Sequence, residues 1–391
     1  MPEIWDEYAS SFPVRSNVVY LNHAGVSPLC QPAADAMKQF ADEACEYGSF
    51  FYERWLAAYE GVRAAAARLI GSTAAEIALV KNTSEGISTV ANGMAWQPGD
   101  RILVGRHEWG GNLASMRLSA VRAGASIEVI PSDDSGEVDP EALEAMLDKR
   151  VRLIALTWMP ANGGLINPAA AIGQIARRHG ITYFIDAAQA VGQIPVDVAQ
   201  LGCDVLTGAG RKALRGPRGT GLLYVRQDFL PRLTPAYVDT QTAPLDDDGE
   251  PVVRSDAARF ESVEVASALR CGLANALQEA LDIGVDNIRT RIDAVAQTLR
   301  AELAQIDGVA VLDQGRERSG LVAFNVAGID AREVQRALAA QGVAIGNNGV
   351  GYTPFDMNAR GLTQIARASV SYLTTEAEIG KLVESLRTLV R

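Results

Sequence analysis

Short apolar segments alternate with helical segments through the middle of this 391-residue chain, and this alternation constrains its fold most. The apolar segments have the continuous character of buried strands and lie at 101–104, 126–130, 151–157, 182–185, 203–207 and 221–225. Segments with helical spacing separate several of them, at 113–123, 140–146 and 168–178. Strands that are apolar on both faces are typical of a parallel or mixed sheet covered by helices. The pattern therefore predicts an α/β fold.

Two long helical regions flank this alternation, at 35–70 and at 263–305. Between the last apolar segment and the second helical region, residues 234–255 are rich in aspartate, proline and threonine, which is typical of a loop or linker. Short strands and further helices follow the second region. We therefore predict an N-terminal arm at 1–20, a large domain at 21–255 and a smaller α+β domain at 256–391.

Charge and composition exclude several classes of partner. The net charge of −11 argues against nucleic acid, because phosphate binding needs a basic surface. No apolar run approaches the roughly 20 residues of a membrane span, and the first residues lack a secretory signal. The three histidines are isolated and the four cysteines lie far apart, so we expect neither a metal site nor a disulfide framework. These features predict a soluble, cytoplasmic protein.

An aspartate and a lysine follow two neighbouring apolar segments. Asp186 ends the segment at 182–185, and Lys212 comes shortly after the segment at 203–207. Ligands of open α/β sheets bind beyond the carboxyl ends of the strands, and a buried carboxylate needs a positive partner. Alone, Asp186 could cap a helix and Lys212 could be a solvated loop charge. Together they predict a functional pair at one edge of the sheet.

Such a pair suits pyridoxal phosphate, an aldehyde cofactor that needs a lysine for a Schiff base and an acid for its ring nitrogen. The segment Asn82-Thr-Ser-Glu-Gly86 lies between a strand and a helix, where free amide groups and hydroxyls can bind a phosphate. An ordinary helix cap is the alternative interpretation of that segment. A dinucleotide site is not expected, because the glycines and proline after Lys212 leave no room for the required helix.

These motifs resemble the class V aminotransferase family of fold-type I pyridoxal-phosphate enzymes. The resemblance rests on Asp186 with Gln189, on Gly210-Arg-Lys212 and on Gly216-Pro-Arg-Gly-Thr-Gly-Leu-Leu-Tyr. The family includes cysteine desulfurases, selenocysteine lyases, isopenicillin-N-epimerase-like proteins and kynureninases. The resemblance implies a large domain with a mainly parallel sheet covered by helices, a smaller α+β C-terminal domain, and a homodimer with shared active sites.

The resemblance also implies which residues bind the cofactor. Lys212 matches the Schiff-base lysine, which also moves the α-proton of the substrate, and Asp186 matches the carboxylate that keeps the ring nitrogen protonated. Trp109 matches the residue that stacks on the ring, with His107 as the alternative. The remaining matches are Gln189 near the 3′ oxygen, Thr83 and Ser84 in the phosphate loop, Arg211 near the phosphate, and Ser262 reaching from the neighbouring subunit.

Four further residues match the substrate side of the family's site. Arg367 matches the arginine that binds the α-carboxylate, and its planar guanidinium suits that group. Asn22 and His23 match an N-terminal stretch beside the substrate. Asn162 stands close to the position of a family asparagine and is its candidate substitute.

The loop at 346–352 departs from the cysteine desulfurase pattern. Desulfurases carry a nucleophilic cysteine in this loop, whereas the cysteines of this chain lie elsewhere, at Cys30, Cys45, Cys203 and Cys271. We therefore expect an enzyme that acts on an α-amino acid, with transamination as the main expectation. The alternatives are β-elimination by a C–S or selenocysteine lyase, a desulfurase-like reaction, and epimerisation. A cofactor-binding protein without catalytic activity is a further alternative.

Overall fold

The computed structural model describes residues 4–390. Within that range the helices are α1 (Ile4–Ala9), α2 (Gln31–Tyr47), α3 (Tyr52–Ile70), α4 (Thr83–Gly93), α5 (Gly110–Ser119), α6 (Pro140–Ala145), α7 (Ala169–His179), α8 (Val198–Leu201), α9 (Ser267–Ile283), α10 (Val285–Leu303), α11 (Ala331–Ala339), α12 (Pro354–Ala359) and α13 (Glu376–Leu389). The strands are β1 (Val19–Tyr20), β2 (Ile77–Val80), β3 (Arg101–Gly105), β4 (Ser126–Ile130), β5 (Val151–Thr157), β6 (Thr182–Asp186), β7 (Val205–Ala209), β8 (Gly221–Val225), β9 (Val309–Val311), β10 (Leu321–Val326), β11 (Val343–Ala344), β12 (Gly346–Gly349) and β13 (Gln364–Ser369).

A seven-stranded sheet forms the centre of the larger part of the molecule, in the order β2–β8–β7–β6–β5–β3–β4. The strands from β3 to β7 run parallel, and β8 runs antiparallel to both of its neighbours. One face packs on α4 and α5 through Ile87 and Leu113, and the other packs on α3 and α7 through Ile70 and Ile172. Burial on both faces explains the continuous apolar strands. The predicted α/β fold is confirmed.

A smaller antiparallel sheet, in the order β12–β13–β10–β9, lies in the C-terminal part. Helices α10 and α13 contribute Leu299 and Leu386 to the core that covers it. Near the N-terminus, β1 pairs in parallel with β11, with Val19 opposite Val343, so the start of the chain extends this part of the molecule. The predicted smaller α+β domain at the C-terminal end is also confirmed.

Each of the two long helical regions contains two helices. Gly48 separates α2 from α3 with a φ of +59°, and Gly284 separates α9 from α10 with a φ of +82°. A positive φ ends a helix at little cost only at glycine, because a side chain would be strained there. Helix α9 packs against α2 and α3. The boundaries at 20 and 255 stay predictions. None of the helices in the described range is long and apolar enough to cross a membrane.

Candidate active site

A cavity of about 580 Å³ opens at the carboxyl ends of the central parallel strands. Thr157 ends β5 and Asp186 ends β6, and both line the cavity together with Lys212, which follows β7. The opposite wall comes from the smaller domain, where Asn347 and Tyr352 line the cavity. The cavity therefore lies where the topology of an α/β sheet places ligands.

Lys212 has an environment that suits a nucleophilic amine. Loss of hydration and, to a smaller extent, the charge of Arg211 lower the pKa of Lys212 from its ordinary value to about 7. The Asp186 carboxylate opposes this shift, and the charge of Arg367 adds to it. A lysine with a pKa near 7 carries a large fraction of free amine at neutral pH, as Schiff-base chemistry requires.

The turn after Lys212 is fixed by Arg215, a residue that the sequence analysis did not single out. Its backbone N–H donates to the carbonyl of Lys212 at 2.8 Å, and its φ of +59° lies in the region that favours glycine. Its buried guanidinium donates from Nε to Glu279 Oε1 at 3.1 Å and lies 4.3 Å from the ring centre of Tyr372. These contacts hold a backbone conformation that would otherwise be unfavourable. The position of Lys212 is thereby tied to α9 and to the segment after β13.

Asp186 is almost fully buried at the end of β6. It accepts hydrogen bonds from the backbone N–H of Ala188 and from Asn112 Nδ2, both at 2.9 Å. Burial raises the pKa of Asp186, and these two hydrogen bonds and the charge of Lys212 oppose that rise. A buried carboxylate with directed donors and a cationic neighbour is held ready to face a positive ring nitrogen.

Glu108 and Asn112 form a second layer behind Asp186 that the sequence analysis missed. Asn112 Nδ2 also donates to Glu108 Oε1 at 2.7 Å, and the backbone N–H of Thr157 donates to Glu108 Oε2 at 3.0 Å. Glu108 is fully buried, and this burial raises its pKa to about 8. The spacing of an acid and an amide by four residues at a helix start was the available signal.

The start of α4 forms the candidate phosphate site. Asn82 caps the helix by accepting from the Glu85 backbone N–H at 3.0 Å, and Thr83 and Ser84 line the cavity. The helix lies directly on the sheet, because a Cβ at Gly86 would be 2.4 Å from Thr207 Oγ1. Free N–H groups at a helix start favour an anion.

Arg211 and Gln189 also line the cavity. Arg211 donates from Nη1 to the carbonyl of Gly25, and Gln189 donates from Nε2 to the carbonyl of Ala24 at 3.0 Å. Both contacts reach the N-terminal segment that leads to the substrate side. The cofactor roles predicted for Arg211 and Gln189 stay predictions.

Trp109 and His107, the two candidates for stacking on the cofactor ring, lie in different environments. Trp109 lines the cavity, and its backbone N–H donates to Thr157 Oγ1 at 3.2 Å. His107 is buried outside the cavity lining, with Nε2 at 3.3 Å from Asp356 Oδ1. The geometry favours Trp109 as the residue that would stack on a cofactor ring.

Arg367 and Asn22 present unpaired polar atoms on the substrate side. Arg367, on β13, donates from Nη1 to the carbonyl of Ala161 at 2.6 Å. In the described part of the chain, Arg367 Nε and Asn22 Oδ1 are buried without a hydrogen-bond partner. Loss of hydration lowers the pKa of Arg367 to about 10, which still leaves it cationic at neutral pH. A buried cation and unpaired polar atoms in a cavity suit an ionic ligand.

Three of the predicted site residues lie outside the lining of this cavity. His23 is hydrogen-bonded through Nδ1 to Ser27 Oγ at 3.1 Å. Asn162 donates to Thr353 Oγ1 at 2.9 Å and accepts from Asn348 Nδ2 at 2.7 Å, so it supports the loop of the smaller domain from behind. Ser262 donates to the carbonyl of Glu264 at 3.0 Å beside a second, more apolar cavity. Their roles in binding stay predictions.

The residues that line the cavity fit pyridoxal phosphate. Lys212 would hold its aldehyde carbon, Asp186 would face its ring nitrogen, and Thr83 and Ser84 would bind its phosphate. Trp109 supplies an aromatic ring for one face. When bound, the cofactor supplies an electron-withdrawing ring that makes the α-proton of an amino acid acidic. The lowered pKa of Lys212 and the buried, hydrogen-bonded Asp186 are the features that such a ligand requires.

Comparison with known proteins gives the same family throughout. The family model described as aminotransferase class-V matches residues 19–382. The chain is 29% identical to a probable cysteine desulfurase of Methanothermobacter thermautotrophicus, over 98% of both proteins. It is 32% identical to a cysteine desulfurase of Dickeya dadantii, over 86% of this chain and 82% of that protein.

Solved structures agree with these sequence relatives. A cysteine desulfurase from Thermococcus onnurineus NA1 superposes with a TM-score of 0.91 at 25% identity, over 100% of this chain and 99% of that one. The cystine C–S lyase C-DES, in complex with its product cysteine persulfide, gives 0.88 at 26% identity, over 96% and 99%. A C-DES variant with glycine covalently linked to its pyridoxal-phosphate cofactor gives 0.89 at 26%, over 99% of each chain. This chain therefore belongs to the class V aminotransferase family and is an enzyme that uses pyridoxal phosphate.

Proposed function

We propose that this enzyme cleaves the Cβ–S bond of a cysteine-type amino acid by β-elimination and releases the sulfur in the leaving group. In the net reaction, RS–CH2–CH(NH3+)–COO− and water give RSH, pyruvate and ammonium. R is hydrogen for cysteine and a sulfur-linked cysteine for cystine. The sulfur does not pass through a thiol of the enzyme.

The observation that carries this proposal is the lack of a thiol in the cavity. Among the described residues, Cys30 and Cys203 are buried, Cys45 is exposed and Cys271 is half-buried, and none of them lines the cavity. The wall that faces the substrate from the smaller domain carries amides and a phenol instead, from Asn347, Asn348 and Tyr352. Transfer of sulfur to the protein needs a nucleophilic thiolate beside the substrate. Elimination needs none.

The relatives favour cleavage of a C–S bond over transamination, which was the main expectation from the sequence. The two sequence relatives carry the name cysteine desulfurase, and C-DES is called a cystine C–S lyase. The alternative interpretation of the sequence, a desulfurase-like or C–S lyase reaction, is therefore the better supported one. The thiol-free cavity supports elimination among those reactions.

Two residues do the proposed chemistry at the amino acid. Arg367 binds the α-carboxylate through its planar guanidinium and thereby orients the Cα–H bond. Lys212 Nζ takes the α-proton, and a proton is then available on Nζ for the departing sulfur. Its pKa of about 7 allows it to act both as base and as acid near neutral pH.

Product analysis tests this proposal. Holoenzyme is incubated with cysteine and, separately, with cystine, and pyruvate, ammonia, alanine and released sulfur are measured. We expect pyruvate and ammonia in equal amounts and no alanine. Stoichiometric alanine would indicate sulfur transfer to the protein, and a 2-oxo acid that retains the sulfur would indicate transamination. Either result contradicts the proposal.

A variant without the accessible thiols is the matched control. Cys45→Ser with Cys271→Ser removes the two thiols that are not fully buried. Because both lie outside the cavity lining, we expect turnover within about twofold of the unmodified enzyme. A large loss of turnover with retained fold would show that a thiol takes part.

The proposed enzyme works as a homodimer with shared active sites. Ser262 lies at the surface beside a cavity that also includes Lys81 and Glu85, next to the start of α4. Exposed apolar side chains nearby, Tyr237 and Val263, suit a subunit contact. Sedimentation velocity should give a dimer mass, and Ser262→Ala should weaken cofactor binding without changing that mass. A monomer with full activity would contradict this part of the proposal. The cytoplasm remains the predicted location.

A further inference from the structure

Three buried side chains and one backbone N–H form a continuous chain of hydrogen bonds behind the candidate cofactor site. Thr157 N–H donates to Glu108 Oε2 at 3.0 Å, and Asn112 Nδ2 donates to Glu108 Oε1 at 2.7 Å. The same Nδ2 donates to Asp186 Oδ2 at 2.9 Å. Glu108 and Asn112 are fully buried, and Asp186 is 3% exposed, so solvent does not compete for these groups.

The amide of Asn112 has two possible orientations, and only one of them supports Asp186. With Nδ2 towards Asp186 it donates a hydrogen bond, whereas with Oδ1 in that place two acceptors would face each other. In the observed orientation Oδ1 is buried, and among the described residues no donor reaches it. Leaving a buried acceptor unpaired is unfavourable, so the hydrogen bond to Asp186 and a second hydrogen bond from Nδ2 must together offset this cost.

Glu108 is the acceptor of this second hydrogen bond from Asn112. Its Oε1 accepts the second hydrogen of Asn112 Nδ2, and its other oxygen is fixed by the Thr157 backbone. We propose that Glu108 is a positioning residue, which holds Asn112 in the donating orientation and so fixes Asp186 opposite the ring nitrogen of the cofactor. This inference concerns the cofactor and is independent of which amino-acid reaction the enzyme performs.

Glu108 also connects the part of the site that would face the ring nitrogen of the cofactor to Trp109, which would stack on the face of the ring. Glu108 directly precedes Trp109, whose backbone N–H donates to Thr157 Oγ1 at 3.2 Å. Thr157 thus binds both residues, through its backbone to Glu108 and through its side chain to Trp109. A change at Glu108 should therefore disturb the cofactor at its ring nitrogen first and at its stacked face second.

The test is a comparison of holoenzymes that carry ring-labelled ¹⁵N pyridoxal phosphate. The ¹⁵N chemical shift reports whether the ring nitrogen is protonated, and titration of the apoenzyme gives the cofactor Kd. We expect Glu108→Met to move the shift towards the neutral form and to weaken cofactor binding about tenfold, the effect of losing one buried hydrogen bond. Glu108→Gln keeps one carbonyl oxygen, which can accept from Asn112 or from the Thr157 N–H but not from both, so it should restore both properties only in part.

Glu137→Met is the matched control, since Glu137 is also a buried glutamate but contacts Arg316 away from the cavity. It should lower thermal stability while leaving the ¹⁵N shift unchanged. If Glu108→Met does not fold, Asn112→Leu breaks the same chain one step closer to Asp186 and should give the same shift. An unchanged ¹⁵N shift and Kd in the folded Glu108→Met or Asn112→Leu variant overturns the proposal.

Discussion

The two ends of the cavity are built in different ways. The cofactor end is formed at the carboxyl ends of the strands, where Asp186 ends β6, Lys212 follows the adjacent parallel strand β7, and buried hydrogen bonds fix the carboxylate. The substrate end is formed by β12 and the turn after it, where Asn347 and Tyr352 face the cavity. The geometry of the cofactor end is determined by the fold of the sheet, whereas that of the substrate end is determined by the side chains of a short segment.

This difference explains how one family can support several reactions. The cofactor end provides activation of the α-proton, which transamination, elimination and epimerisation all require. In the proposed function, the substrate end decides what happens next, because it holds or lacks the group that receives the sulfur. Here that segment has no thiol, and its amides are bonded to the protein: Asn347 donates to Gln335, and Asn348 donates to Asn162 at 2.7 Å.

The largest expected effect is at the cofactor end. Lys212→Ala removes the proposed base that takes the α-proton, so turnover should fall by about 10³-fold or more. Far-ultraviolet circular dichroism should remain that of the unmodified enzyme. Lys381→Ala, at a lysine of α13 that pairs with Glu384 at 3.6 Å, is the control and should keep full turnover. Substantial turnover of Lys212→Ala would disprove the role of this lysine.

The next effect is at the substrate end. Arg367→Ala removes the buried cation that we propose binds the α-carboxylate, and kcat/KM should fall by roughly 100-fold, equivalent to about 2–3 kcal/mol. Cofactor affinity should change much less, because Arg367 lies on β13 of the smaller domain. Arg387→Ala, at an exposed arginine of α13, provides the matched control. Equal losses of cofactor and substrate binding would mean that the two ends are not separable.

Cofactor uptake at the cofactor end should depend on pH. The folded protein lowers the pKa of Lys212 from 10.5 to about 7, so the free amine forms as the pH rises through 7. The rate at which apoenzyme takes up pyridoxal phosphate should rise about tenfold per pH unit below 7 and level off above it. This rate is measured by the absorbance of the bound cofactor.

Asp186→Asn sharpens that pH test. The Asp186 carboxylate raises the pKa of Lys212 against the effect of burial. Removing its charge should therefore move the midpoint of cofactor uptake to lower pH. A midpoint that moves upwards, or that stays near 10 in the unmodified enzyme, would contradict the electrostatic description of Lys212.

The smallest effect is expected where the two ends meet. A Cβ at Gly110, which begins α5, would lie 2.1 Å from the carbonyl oxygen of Gly351 in the smaller domain. Gly110→Ala should push these segments apart, destabilise the protein by about 1–3 kcal/mol and raise KM several-fold. Gly380→Ala is its control, since a Cβ there meets nothing within 4 Å, and it should be neutral or slightly stabilising. Thermal unfolding and steady-state kinetics measure both variants.

The fold and the cofactor end were largely predictable from the sequence. The apolar strands and helical spacing indicated the sheet, and a ligand at the carboxyl ends of its strands follows from the topology. The structure places Asp186, Lys212, Thr83, Ser84 and Trp109 around one cavity. The break at Gly48 was not predicted, because alanine-rich spacing continues on both sides of it.

The supporting residues were harder to predict because their roles depend on tertiary contacts. Asn112 matters only because β6 brings Asp186 within 2.9 Å, and Arg215 only because Glu279 of α9 reaches it. Neither contact leaves a local pattern in the sequence. Asn162 was named from the sequence as a substrate-side candidate, but its contact with Asn348 of the smaller domain, 186 positions along the chain, leaves no such pattern either.

The most direct test of the account is the mass of the intact enzyme after turnover with cysteine. After alkylation of thiols, the protein is analysed by mass spectrometry while pyruvate and alanine are measured in the same sample. We predict an enzyme without added sulfur on any of Cys30, Cys45, Cys203 and Cys271, together with pyruvate as the carbon product. Sulfur bound to one of these cysteines, with alanine formed in equal amount, would contradict the central claim.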